Sequence, residues 1–430
     1  MFMNGFSMIQ LARKKEKQLD KNLKDKFVQF YRPFRRIPCF FHRPVEYIRK
    51  RTKRIPVVFE FDAENFSSGI QDVKNAKCRS MKELPSISCC SASLSFRQIE
   101  HLLENCSHIR KIYFDREITA LLDVATPTLH GGETRESEYT GKEVTIGVID
   151  TGVHPHPDLE GRITAFKDFI NDRQEPYDDN GHGTHCAGDA AGNGQASDGK
   201  YKAPAPEANI VGVKALDKRG SGSLSTVIAG IDWCIQNQLK YNIRILSLSL
   251  GSPALESAED DLVVKAVEQA WDRGMTVCVA AGNSGPLPGT IGSPGISPKV
   301  ITVGAVNDQN TIDRSDDVIA DFSSRGPTID NLTKPDLVAP GVNIISLNAP
   351  NAYMNKLNLG TKVDEPYVSL TGTSMATPIC AGVVAQLLEK EPDLTPDQVK
   401  QRLIEACETI GQSPNTEGNG LLNAKKLLSS

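Results

Sequence analysis

No cysteine pair in this chain has the two-residue spacing of a metal clip or a redox motif. No apolar run reaches the roughly 18 residues that a membrane-crossing helix requires, and there is no internal repeat or low-complexity tract. Ten cysteines are present, yet adjacent Cys89 and Cys90 cannot easily bridge each other. Cys234, Cys278, Cys380 and Cys407 sit in apolar helix or strand patterns, as small buried hydrophobes do. A chain of 430 residues can bury a large core without covalent staples, so free thiols in a reducing cytosol are expected. The opening "MFMNGFSMIQLA" lacks a basic n-region and a small-residue cleavage site. The expectation is a cytoplasmic protein with no transmembrane segment, with non-standard export left open.

What is present is the composition of an enzyme with many short loops: 39% apolar and 24% charged residues, 34 glycines and 25 prolines. The net charge of −4 conceals an asymmetry, because residues 1–54 hold 16 Lys/Arg against 4 Asp/Glu. That head is expected to be a solvated, partly disordered basic leader, in preference to an arm for nucleic acid or an anionic membrane; no nucleic-acid partner is expected. Residues 55–125 alternate strand-like and helix-like segments ("PVVFEF", "SGIQDVKNAK", "SISCCSASLS", "FRQIEHLLEN", "IRKIYFDREITALL"), the order of a small α+β domain of ferredoxin-like type. In residues 126–430, "EVTIGVID", "ANIVGVKAL", "IRILSLSLG", "MTVCVAAGN" and "VITVGAV" are apolar without alternation, as strands buried on both faces are. Helical stretches over 223–238 and 258–273 separate them. The fold class is therefore α/β, a doubly wound, mostly parallel sheet flanked by helices, with reactive groups gathered beyond the strands' C-terminal ends.

The first of those strands ends at Asp150, beside Thr151 and Gly152. An acid there can equally cap or turn the chain. "DDNGHGTHCAGDAAG" follows, with His182 and His185 three apart but no third ligand of zinc-like geometry nearby. Small or turn-forming Asn180, Gly181, Gly183 and Thr184 surround His182 and would leave its ring accessible, which makes it the candidate base. In "LTGTSMATPICAGVVAQLL", Ser374 stands between a Gly-Thr pair and a helix start, where unpaired N–H groups favour negative charge. Ser374 would attack and Asp150 would orient the imidazole. "VAAGNSG" ends another buried strand at Asn283, whose amide, with the Ser374 N–H, could stabilise an oxyanion.

Together "VIDTG", "HGTHCAG", "SLSLG", "AAGNSG" and "GTSMATP", in that order over roughly residues 140–425, resemble the subtilisin-like serine proteases, or subtilases. The kinship is to intracellular bacterial alkaline members with an N-terminal pro-domain. The resemblance implies a serine endopeptidase with Asp150, His182 and Ser374 as triad and Asn283 as oxyanion donor. Gly220, Ser221 and Gly222, and Ser249, Leu250 and Gly251, would be two edges pairing with an extended protein or peptide substrate. Ala280, Ala281, Gly282 and Gly292 would bound a roomy apolar first pocket and Leu224 a second, giving broad preference for large apolar residues before the cleaved bond. Tight strand packing explains the same Gly and Ala residues structurally.

No cofactor is implied for catalysis. Structural calcium is allowed by the resemblance without an assigned ligand set, because the loop "GNGQASDGKYKAPAPEA" differs from the family's; Asp158 is a candidate ligand and equally a turn residue. Residues 55–125 resemble the family's pro-domain in element order and length, implying an intramolecular inhibitor and self-cleavage within 115–135. Cys186 is either an oxidant-sensitive thiol or packing against a helix face. Two other readings compete: a catalytically dead fold kept for binding, and an ester or amide hydrolase of small substrates. The intact quartet argues against the first, and the backbone-pairing edges argue against the second.

Overall fold

The computed structural model describes residues 7–36, 38, 41–115, 117–120, 138–309 and 314–429. The chain divides into two compact units, Met1–Arg116 and Glu117–Ser430. In the first, strands Arg54–Phe61, Arg79–Leu84, Cys89–Ser95 and Ile109–Phe114 form an antiparallel sheet in the spatial order second, third, first, fourth. Helices Phe66–Asn75 and Phe96–Asn105 complete a βαββαβ chain of ferredoxin-like type. Val57, Phe59 and Phe61, at alternate positions of one strand, share a core with Ile70, Val73, Ile99 and Leu102 of the helices.

Residues 1–54 depart from the disordered leader that their charge predicts. Helices Ser7–Lys14, Lys21–Tyr31 and His42–Thr52 form there, and Met8, Leu23, Phe27 and Phe34 are fully buried in the same core as Val57 and Phe59. Periodicity is the cause: Leu19, Leu23, Phe27, Phe30 and Phe34 recur every three or four residues, so an apolar stripe runs beneath the lysines and arginines. Asp20 fastens the stripe to the sheet, accepting from the N–H of Leu23 (2.8 Å) and of Phe114 (3.1 Å). Lys50 pairs with Glu100 at 2.8 Å.

In the second unit, strands Ile163–Asp168, Asn209–Lys214, Thr145–Asp150, Ile243–Leu248, Thr276–Ala280 and Ile301–Asn307 lie side by side in that order, all parallel. Leu337–Pro340 joins the last of them in parallel and Val318–Ile319 antiparallel. Every residue of Thr145–Asp150 and of Thr276–Ala280 is buried, as their uninterrupted apolar character requires. Thr145–Asp150 comes first in the chain but lies inside the sheet, so the winding reverses there and a crevice opens at its C-terminal end. The helices expected over 223–238 and 258–273 form as Leu224–Gln236 and Leu262–Asp272, capped by Ser223 and Asp261. Helix Thr373–Lys390 packs on helix His182–Ala191 and on five strands of the sheet. It is buried on all sides from Thr373 to Leu388. None of the nine described cysteines is in a disulfide, and no helix among the described residues is long and apolar enough to cross a membrane.

Candidate active site

Asp150 closes the strand at the point of reversal, and His182 opens the helix His182–Ala191 beside it. The two side chains meet: Asp150 Oδ1 lies 2.8 Å from His182 Nδ1 and also accepts the Thr151 N–H at 2.7 Å. Glycine makes this approach feasible, since a Cβ on Gly183 would stand 2.2 Å from the Gly152 carbonyl oxygen and 3.0 Å from Asp150 Cβ. His182 is fully buried, contrary to the open ring its small neighbours predict. Loop glycines bring backbone closer, and the segment Ala352–Met354 closes on Gly181 and Asn180. Burial alone pulls the imidazole pKa down; the adjacent Asp150 carboxylate more than reverses this, and the result stands well above the usual 6.5. Cys186, one helical turn on, has its thiol 3.8 Å from His182 Nδ1 and 3.5 Å from the Ser374 carbonyl. Burial pushes that thiol up to about 11, so it packs as a neutral group.

Ser374 lies in the first turn of Thr373–Lys390, fully buried. Its Oγ donates to the Ser249 carbonyl at 3.4 Å, and Ser249 Oγ donates to the Ser374 carbonyl at 2.6 Å. Asn283 is fixed by the neighbouring Thr373, whose N–H and hydroxyl both donate to Asn283 Oδ1 at 3.0 Å. Two donors on one side force the amide nitrogen to the other, where Nδ2 is buried with no partner among the described residues. A buried donor left unmatched is costly unless something arrives to accept from it.

Beside Asn283 is a cavity of about 410 Å³, lined by Gly251, Ala280, Ala281, Gly282 and Gly292 and by no charged side chain. Ser252, Pro253, Ala254 and Ile291, which sequence reasoning missed, are also part of its wall. Ser249 and Leu250 lie outside this lining, and Leu224 is buried at the first position of its helix, outside it too. The chain itself pairs with both expected edges. Strand Glu117–Ala120 runs antiparallel between Ser221–Ser223 and Leu250–Gly251, with Ile118 opposite Gly222, Thr119 opposite Ser221 and Gly251, and Ala120 opposite Leu250. Gly220, at a φ of 78°, turns the chain into the first edge. Most of the stretch expected to contain the self-cleavage point, 121–135, lies outside the described residues.

Two polar residues of the site carried no sequence signal. Asp178, buried, accepts from the N–H groups of Asn180, Gly181 and Thr184 and from the hydroxyls of Thr151 and Thr184, all within 3.0 Å. Lys214, buried beside Asp150 in the sheet, donates to the carbonyls of Thr151 (2.5 Å) and Leu216 (3.0 Å) and pairs with Asp179 at 2.6 Å. These bonds tie the end of Thr145–Asp150 to the turn that presents His182. Asp178→Asn turns an amide N–H₂ toward existing donors, and denaturant unfolding should show a loss of about 3 kcal/mol. An unchanged midpoint would mean that the turn holds without this carboxylate.

The subtilase family profile matches residues 141–422. The chain is 48% identical to serine protease AprX of Bacillus subtilis (strain 168), over 98% of this chain and 99% of that protein. It is 37% identical to a thermostable alkaline protease of Halalkalibacterium halodurans over 66% of this chain and 67% of that one, and 34% identical to subtilisin E of Bacillus subtilis over 80% and 81%. Among solved structures, fervidolysin from Fervidobacterium pennivorans, a keratinolytic enzyme related to subtilisin, superposes with a TM-score of 0.69. It is 23% identical, covering 88% of this chain and 61% of that one, a likeness of fold.

Proposed function

The chain belongs to the subtilase family and is a serine protease, and on that premise we propose that it is an endopeptidase that reads extended backbone, cuts after large apolar residues and processes its own precursor. The observation that carries this reading is the strand Glu117–Ala120, paired on both sides with Ser221–Ser223 and Leu250–Gly251. A cleft that binds a strand by its main chain accepts many sequences, and its pockets then choose among them. In this reading Asp150 holds His182 with Nδ1 protonated, and His182 Nε2 takes the proton of Ser374 as the hydroxyl attacks the scissile carbonyl. The oxyanion accepts from Asn283 Nδ2 and the Ser374 N–H. His182 returns the proton to the leaving amine, and water releases the acyl group by the reverse path. No cofactor takes part.

The uncharged cavity lined by Ala280, Gly282 and Gly292 supports a large apolar residue before the cut bond. Mass-spectrometric mapping of cuts in an unfolded protein should find interior bonds following such residues; release of single terminal residues would refute the endopeptidase. Glu117–Ala120 continues directly from the ferredoxin-like region, which supports that region as an intramolecular inhibitor and self-cleavage shortly past Ala120. N-terminal sequencing of the active enzyme should begin between residues 121 and 135. The absence of a disulfide among the nine described cysteines supports action in a reducing cytoplasm.

Asn283→Ala should lower kcat by about 10²- to 10³-fold with little change in KM, because its amide meets charge that exists only in the transition state. A change confined to KM would place Asn283 in ground-state binding. The raised pKa of His182 gives the pH dependence its sign: the base must be neutral to accept a proton, so kcat/KM should climb with pH along a limb lying above pH 6.5. A limb at or below 6.5 in a pH–rate series would contradict it.

A further inference from the structure

Asp158, the residue singled out for calcium, is surrounded by the wrong partners for a cation. Its side chain is fully buried. Oδ1 accepts the Ala196 N–H at 2.8 Å, and Oδ2 accepts the Gly194 N–H at 3.1 Å and the Tyr367 hydroxyl at 2.8 Å. Its carbonyl oxygen accepts from the Asn193 N–H at 3.2 Å and from the Arg162 guanidinium. Calcium needs six to eight oxygens turned inward at 2.3–2.6 Å. Here hydrogens point inward instead, and the loop's own carbonyl at Gly194 is spent on the N–H groups of Ser197 and Gly199. His156, with its ring nitrogens engaged by the Asp158 N–H and the Pro366 carbonyl, closes another side. The Arg162 guanidinium adds a positive charge near the Asp158 carboxylate.

We infer that Asp158 is an anion-type anchor that excludes calcium: its carboxylate accepts from three donors, the Gly194 and Ala196 N–H groups of the loop over 193–201 and the Tyr367 hydroxyl. Tyr367 begins the strand Tyr367–Leu370, which leads within four residues to Ser374. The same bond thus joins the loop to the segment that carries the candidate nucleophile. Tyr201 packs edge-on against the Tyr367 ring, centroids 4.7 Å apart, so the loop covers the ring that anchors it.

The test uses the full chain carrying Ser374→Ala, which prevents self-digestion, with and without Asp158→Asn, melted in EDTA and in millimolar calcium. The expected result is the same calcium-induced shift in both chains, since ions bound elsewhere act equally on each. A shift seen with Asp158 and missing from Asp158→Asn would overturn the inference. Should Asp158→Asn fail to fold, Tyr367→Phe decides. It should lower the midpoint by about 4 °C in EDTA and in calcium alike, whereas restoration by calcium would show a cation able to take the hydroxyl's place.

Discussion

Ser374→Ala should reduce peptide hydrolysis by about five to six orders of magnitude and leave the precursor at full length. Two side chains could serve as nucleophile, the Ser374 hydroxyl and the Cys186 thiol 3.8 Å from His182 Nδ1, and the substitution separates them. Cys186 is fully buried, with its pKa pushed up to about 11, so almost none of it is thiolate at working pH. Ser374 stands at a helix start with Asn283 two contacts away through Thr373, where an oxyanion formed by its attack would find donors. Removing one oxygen leaves binding and the oxyanion site intact, which sustains only a small residual rate over water. Thermal stability should barely change, since the lost bond to the Ser249 carbonyl is long, at 3.4 Å. Cys186→Ala should keep most of the activity. Undiminished cleavage by Ser374→Ala, with contaminating proteases excluded, would remove the serine from the mechanism and with it the proposed self-processing.

The parallel sheet was legible because its strands are buried on both faces and read as unbroken β-branched runs, with Asp or Asn at the ends where the crevice opens. Asp150 and His182, which meet at 2.8 Å, could be picked out since each has Gly or Thr beside it in the sequence, as close backbone approach demands. Other features left no such trace. The helices of residues 7–52 were masked by charge, because counting lysines and arginines ignores the apolar stripe of Leu19, Leu23, Phe27 and Phe34 underneath. Asp178 and Lys214 act largely on main-chain carbonyls and N–H groups, which every residue possesses, so little in the sequence marks the position that needs them. The pairing of Glu117–Ala120 depends on partners more than 100 positions away in the chain, and that register is set by the folded edges. The side on which Asn283 presents its nitrogen depends on Thr373, ninety residues later.

Asp150→Asn is the second large effect, expected to lower kcat about 10⁴-fold, and the geometry foretells which part of the aspartate's role is lost. Asp150 Oδ1 receives both the Thr151 N–H and His182 Nδ1, while Oδ2 is buried without a partner among the described residues. An asparagine can keep its oxygen at the first position and place its amide nitrogen at the second. The Nδ1 hydrogen of His182 would still be accepted, so ring and tautomer stay in place. What disappears is the negative charge. Without it, burial governs His182, and its pKa should fall from well above 6.5 to below that value. The residual activity of the variant should therefore show its acid limb at lower pH than the parent, even as the ceiling drops, since the imidazolium formed during attack is no longer stabilised. A variant equally slow but with an unmoved limb would instead mean that the Asp150 charge is not what raises the His182 pKa. The limb position thus tests the charge, which the rate alone cannot do.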